Sequence, residues 1–164
     1  MLSSSFAGGM SNMNLMTDET IQRGVSFVYT DPTHSFGLGL DLQSEKFELG
    51  VNTGYSRTKT AAGITYSEWF LSAYAGARKE IASLIYGAIG LMGDYDFLYG
   101  DYSGAGLTTE PYSYGPYLGL EYQPTPQFQL YVRAMPYSYH VSNTNVKTNE
   151  IFERGQVGFK YFFA

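Results

Sequence analysis

Residues 36–43 read Phe36-Gly37-Leu38-Gly39-Leu40-Asp41-Leu42-Gln43, with Phe36, Leu38, Leu40 and Leu42 on one parity and Gly37, Gly39, Asp41 and Gln43 on the other. A period of two sends alternate side chains to opposite faces of a strand. One face is then wholly apolar and the other small or polar. The alternation returns after Ser44-Glu45-Lys46, where Phe47, Leu49, Val51, Thr53 and Tyr55 oppose Glu48, Gly50, Asn52, Gly54 and Ser56. Two such runs joined by three residues predict a hairpin.

The pattern extends in both directions. Upstream, Val25, Phe27 and Tyr29 oppose Gly24 and Ser26, and Asp31-Pro32 supplies turn chemistry. Downstream, Tyr114, Leu118, Leu120 and Tyr122 oppose Ser113, Gly115, Gly119 and Glu121. Phe128, Leu130, Val132 and Ala134 then oppose Gln129, Tyr131, Arg133 and Met135, and Val157, Phe159, Tyr161 and Phe163 oppose Arg154, Gln156, Gly158 and Lys160. Two further runs, 65–77 and 83–92, carry apolar residues on both parities, so they read as strands with their faces open. The total is about eight, near the minimum for a closed membrane barrel.

Links after Leu42, Ala77 and Tyr122 are short, whereas those near Lys59, over 94–111 and over 143–150 are longer and polar. Membrane barrels alternate in this way, with short turns inside and long loops outside. Tyr29, Tyr55, Trp69, Tyr112, Tyr114, Tyr161 and Phe163 stand at run ends, where amphipathic rings suit the boundary between lipid and water.

Composition narrows the class. The chain has 164 residues, 15% charged and 17% aromatic, with nineteen Gly, sixteen Tyr and no Cys. Its most apolar stretch, 81–93, is shorter than the roughly 18–20 residues of a spanning helix and contains Gly87 and Gly90. A net charge of -5 with scattered Lys and Arg argues against a nucleic-acid partner. The lack of cysteine removes disulfides and thiol chemistry, and two separated histidines, His34 and His140, give no metal cluster. No cofactor motif is present. A soluble lipocalin-like barrel or sandwich is the alternative, and it predicts many Lys and Glu on the polar parity. Here that parity is mostly Gly, Ser, Asn, Gln and Tyr, as suits a cramped polar interior.

The expectation is a closed eight-stranded antiparallel up-and-down transmembrane β-barrel over 20–164, with residues 1–19, including Met1, Met10, Met13 and Met16, as a flexible periplasmic segment. A closed barrel has no free strand edge, so a monomer is expected. Asp41, Glu48, Glu121, Arg133, Arg154 and Lys160 fall on the inward parity. They are expected to fill the lumen as an ion-pair network rather than to line a pore.

Three segments resemble the OmpX/Ail/Lom family of small outer-membrane barrels: 84–90 (Leu-Ile-Tyr-Gly-Ala-Ile-Gly), 113–124 (Ser113-Tyr114-Gly115 through Gly119-Leu120-Glu121-Tyr122-Gln123-Pro124), and 155–163, ending Lys160-Tyr161-Phe162-Phe163. The resemblance implies location in a Gram-negative outer membrane. It also implies insertion by the barrel assembly machinery through a terminal aromatic matched by Phe163, although Ala164 follows it. It further implies a non-enzymatic role in adhesion, host or phage interaction, or envelope integrity, through loops 93–111 and 143–150. Arg57 and Lys59, at the predicted outer end of a strand, would meet the phosphates of lipopolysaccharide.

His140-Val141-Ser142-Asn143, followed by Asn149 and Glu153, forms a second candidate site. Parity puts His140 and Ser142 on the face of Leu130 and Val132, and Glu153 with Val157, all toward lipid. A hydroxyl, an imidazole and a carboxylate compose the general-base logic of a serine hydrolase. The spacing resembles the lipid A 3-O-deacylase (PagL) family, which implies His140 as base, Ser142 as nucleophile and Glu153 as orienting acid, with Asn143 and Asn149 beside them. The alternative function is therefore deacylation of lipid A.

Overall fold

The computed structural model describes residues 20–31, 35–59, 65–99, 110–142 and 145–163. The expected periplasmic segment and His34 lie outside these residues. Ten strand segments follow in order: β1 (Gln22–Asp31), β2 (Ser35–Gln43), β3 (Phe47–Lys59), β4 (Thr65–Ala82), β5 (Ile85–Tyr99), β6 (Tyr112–Thr125), β7 (Phe128–Met135), β8 (Ser138–Val141), β9 (Lys147–Glu150) and β10 (Arg154–Phe162).

Each of β1 to β6 pairs antiparallel with the next, and β6 continues to β7 and β8. β10 pairs with β7 on one side and with β1 on the other, from Gly24↔Phe162 to Asp31↔Gly155, which closes the sheet. β7 with β8 and β9 with β10 each form one interrupted stave, so the cylinder has eight. Turns at 44–46, 83–84 and 126–127 lie at one end with both described chain ends. At the first, the Ser44 hydroxyl accepts from the Lys46 and Phe47 amides at 3.1 and 3.3 Å.

The staves run longer than the apolar pattern alone suggests. β4 reaches Ala82 rather than Ala77, and β5 and β6 continue pairing beyond Gly93 through Asp94↔Ser113 and Tyr95↔Tyr112. Part of the expected 143–150 loop is also strand, because β9 pairs with β8. Backbone pairing, which is indifferent to side-chain polarity, carries these extensions past the apolar band.

Which solvent surrounds each face is settled by burial. Leu38 and Leu40 are 66% and 65% exposed, whereas Arg133 and Lys160 are 1% and 0% exposed. A water-soluble fold has the opposite arrangement. The outer wall presents Val25, Phe27, Leu49, Val51, Leu118, Leu120, Leu130, Val132, Val157 and Phe159, and closure leaves no unpaired backbone edge in this band. The protein is a transmembrane β-barrel.

The two strands left open now have faces. Trp69 and Leu71 point outward from β4 and Phe70, Ser72, Tyr74 and Arg78 inward; on β5, Ile89 and Leu91 point outward and Ala88, Met92 and Asp96 inward. Parity could not decide there because the lumen itself takes apolar and aromatic residues: Tyr74, Ala88, Met92, Tyr117 and Met135 form one inner cluster. A Cβ at Gly50 would overlap the Tyr74 ring, so glycine makes room for this filling.

Aromatic pairs ring both ends. Tyr29–Phe36, Tyr55–Trp69 and Tyr114–Tyr139 lie 5.1, 5.4 and 5.4 Å apart toward the loop end. Phe128–Phe159 and Tyr161–Phe163 lie 6.0 and 6.1 Å apart toward the turn end.

Candidate functional site

In the turn-end half of the lumen Glu48 is the hub of a buried network. Its carboxylate accepts from Arg133 through two nitrogens, from the Lys160 ammonium at 2.9 Å and from the Tyr117 hydroxyl at 2.7 Å. Lys160 also lies 3.6 Å from both Asp41 and Glu121. Glu121 accepts from Arg78 Nε at 2.9 Å, and Tyr74 donates to Asp41. The Arg133 guanidinium stands 3.7 Å over the Tyr74 ring and 4.3 Å from that of Tyr131. Carboxylates and cations face one another here, as burial requires, while Asp41 Oδ2, Glu121 Oε1 and Arg133 Nη1 carry no hydrogen bond. Glu48, Glu121, Arg133 and Lys160 are each 0 or 1% exposed, so side chains fill this section.

Asp41, Glu48, Glu121, Arg133 and Lys160 therefore come together, while Arg154 does not join them. Six residues along β10 from Lys160, it bonds Glu150 at 2.8 Å and His140 Nδ1 at 2.7 Å near the loop end. Sequence reading missed Arg78 because it lies past the expected strand end. It also missed Tyr74, Tyr117 and Tyr131 as an inner aromatic cage; the glycines opposite them, such as Gly50 and Gly158, were the available signal.

His140 does not occupy the face that parity assigns. From Leu118 to Tyr114 is four steps on β6, but from their partners Ala134 to Tyr139 is five, so β7–β8 holds one extra residue. Such a bulge exchanges the faces beyond it. It falls at Pro136, which has no N–H to give the ladder. His140 consequently shares the inner face with Ser138, while Tyr139 turns outward against Tyr114.

This matters for the hydrolase logic. An arginine can only donate, so His140 Nδ1 accepts from Arg154, and the proton of the neutral ring sits on Nε2, 4.0 Å from Glu150. No lone pair is left to take a proton from a serine. The carboxylate closest to the imidazole is that of Glu150, while Glu153 is exposed. The Ser142 hydroxyl accepts from the Val146 amide at 3.2 Å, serving the β8–β9 turn. Asn149 is exposed on β9, and Asn143 lies outside the described residues.

No family model and no curated protein matches the chain. Among solved structures it is similar to the outer membrane protein Ail of Yersinia pestis in a phospholipid bilayer nanodisc, at 17% identity over 87% of this chain and 99% of that one, with a TM-score of 0.47. It is also similar to Neisserial surface protein A (13%, 87% and 96%, 0.48) and to a de novo designed transmembrane β-barrel (12%, 90% and 98%, 0.42). These likenesses concern the general fold. The assignment of a barrel rests on this chain's own pairing and burial.

Arg57 and Lys59 pair in backbone register with Ser67 and Thr65, two and four residues beyond Tyr55 of the aromatic ring. The membrane-interface calls Tyr29, Tyr55 and Trp69 lie at the loop end, and Tyr161 and Phe163 at the turn end.

At the loop end the β8–β9 hairpin has an open flank. β9 pairs with β8 alone among the described residues, and Lys147, Thr148 and Asn149 are exposed. Val146, Ile151 and Phe152 beside it are 53%, 69% and 65% exposed, and Phe152 adopts a φ of 54°, uncommon for a bulky side chain.

Proposed function

We propose that this barrel is a non-enzymatic surface protein of a Gram-negative outer membrane whose loop end, led by the β8–β9 hairpin, contacts another surface: a host cell, a neighbouring cell or a phage. The observation that supports this reading is the exposed apolar group Val146, Ile151 and Phe152 beside the one-sided strand β9. Apolar groups of this kind mark contact sites when they are not facing lipid. The side chains that fill the lumen around Glu48 argue against transport, and the engagement of His140 by Arg154 argues against lipid A deacylation. In this reading Arg57 and Lys59 bind lipopolysaccharide phosphates, and the barrel assembly machinery inserts the monomer through the Phe163 signal.

The test uses cells expressing the full chain, with adhesion to host-cell monolayers and lipid A mass measured together. Ile151→Asp with Phe152→Asp is expected to lower adhesion by roughly tenfold, with the barrel still migrating as a folded band before heating. Adhesion no greater than that of cells lacking the protein, or undiminished by the double substitution, contradicts the reading. So does loss of a lipid A acyl chain that Ser142→Ala prevents, which would establish the hydrolase instead.

A further inference from the structure

The β8–β9 hairpin is held to the barrel by a ladder on one side and by side chains on the other. β8 pairs with β6 through Tyr139, His140 and Val141, whereas β9 pairs with β8 alone among the described residues. The chain passes from β9 into β10 through residues 151–153, and no ladder joins those two strands there. Arg154, the first residue of β10, spans the break. Its Nε donates to Glu150 of β9 at 2.8 Å and its Nη2 to His140 Nδ1 of β8 at 2.7 Å. One guanidinium thus fastens both strands of the hairpin. The His140 side chain is 14% exposed, which shields this bond from water yet lets a proton reach the ring.

The His140–Arg154 bond exists in one protonation state only. A guanidinium has no lone pair, so the imidazole must supply one from Nδ1. The neutral ring does so with its proton on Nε2, which faces Glu150 at 4.0 Å and the Tyr112 main chain. A second proton, taken from water, lands on Nδ1. It removes the acceptor, sets two N–H donors against each other at 2.7 Å and places two cations side by side. Glu150 and Glu153 favour the charged ring, while burial and Arg154 oppose it. Asp94 of β5 accepts from Ser113 at 3.4 Å, and Ser113 is the β6 partner of His140. Farther along the same inner face lie Asp96 of β5 and Glu68 of β4, two residues from its partner Phe70. Lys147 adjoins Thr148, the β9 partner of His140, and so alternates to the other face.

We propose that His140 and Arg154 form a pH-sensitive latch on the β8–β9 hairpin: the neutral imidazole holds the hairpin to β10, and its protonation lets the hairpin part from the barrel rim. Glu150 alone then ties β9 to Arg154, shared between two cations. His140 lies on the loop side of the Tyr114–Tyr139 pair, outside the apolar band. A free histidine titrates near pH ~6.5. Burial first and Arg154 second hold the latched ring below that range, so the latch is closed at neutral pH and opens in mild acid. The released ring binds a proton more readily than the latched one, so falling pH favours release from the free-ring range downward. Val146 precedes β9 and Ile151 and Phe152 follow it, so opening moves this exposed apolar group.

Hydrogen exchange of the full chain in lipid nanodiscs tests the latch, with protection factors corrected for the intrinsic pH dependence of amide exchange. Protection of the β8 and β9 amides is expected to fall by roughly twofold to fivefold between about pH 7.5 and pH 5, the effect of a like-charge pair between strands. The amides of β1 to β3 should keep theirs. His140→Gln retains an acceptor oxygen for Arg154 but does not titrate, so its hairpin should stay protected at both pH values. Arg154→Gln removes the donor and should leave the hairpin open at both. No fall in the wild type overturns the proposal, as does a fall that survives in His140→Gln and so belongs to Asp94, Asp96 or another carboxylate. A hairpin in Arg154→Gln as protected at neutral pH as the wild type also overturns it. The readout involves no adhesion, so its failure leaves the surface role standing.

Discussion

Glu48→Ala is expected to destabilise the folded barrel by about 3–5 kcal/mol, the cost of leaving buried partners without their counter-charge. The carboxylate holds Arg133, Lys160 and the Tyr117 hydroxyl at once, and all three lie deep in the lumen. Its removal leaves two cations against Asp41 and Glu121, neither of which is within 3.5 Å of Lys160. Urea unfolding of the protein refolded in lipid vesicles measures the loss. The magnitude reflects an orphaned charge rather than the net worth of an ion pair, so a balanced change should behave differently. Glu48→Gln with Lys160→Met leaves Asp41 and Glu121 with Arg78 and Arg133, and most of the stability is expected to return. If Glu48→Ala costs less than about 1 kcal/mol, as an exposed pair would, the Glu48 network is not what fills the barrel.

The second large effect lies on the other side of the wall. Leu40→Arg should destabilise by about 2–4 kcal/mol, the range for a cation on the lipid face near the bilayer midplane. Leu40 pairs with Val25 and Val51, and all three project outward into the apolar band. The same substitution at Glu45, in the exposed turn between β2 and β3, should stay within about 0.5 kcal/mol. If the outer face met water instead of hydrocarbon, the two positions would respond alike.

Much of this fold was legible because β2, β6, β7 and β10 each keep one parity apolar or aromatic over the membrane band, and β3 breaks it only at Thr53. The β4 and β5 faces were not, since Phe70, Tyr74 and Met92 are apolar yet inward. Only the register with neighbouring strands distinguishes an aromatic that stacks on Arg133 from one that meets lipid. The inward charges were readable from parity, but parity carries no height along the strand. Arg154 therefore looked like a companion of Lys160, although it belongs to the outer layer with His140 and Glu150. The His140 face was lost for a different reason. A single extra residue at a bulge inverts everything beyond it, and Pro136 was the only mark of it in the sequence.

The orientation of the two faces is tested most directly by spin labelling, which a chain without cysteine permits one site at a time. Nitroxides placed at Leu40, Val132 and Phe159 in vesicles should collide more often with oxygen than with a water-soluble nickel complex, as labels in hydrocarbon do. Labels shielded from both reagents would place these residues in a shared interior core, and the transmembrane barrel would be wrong.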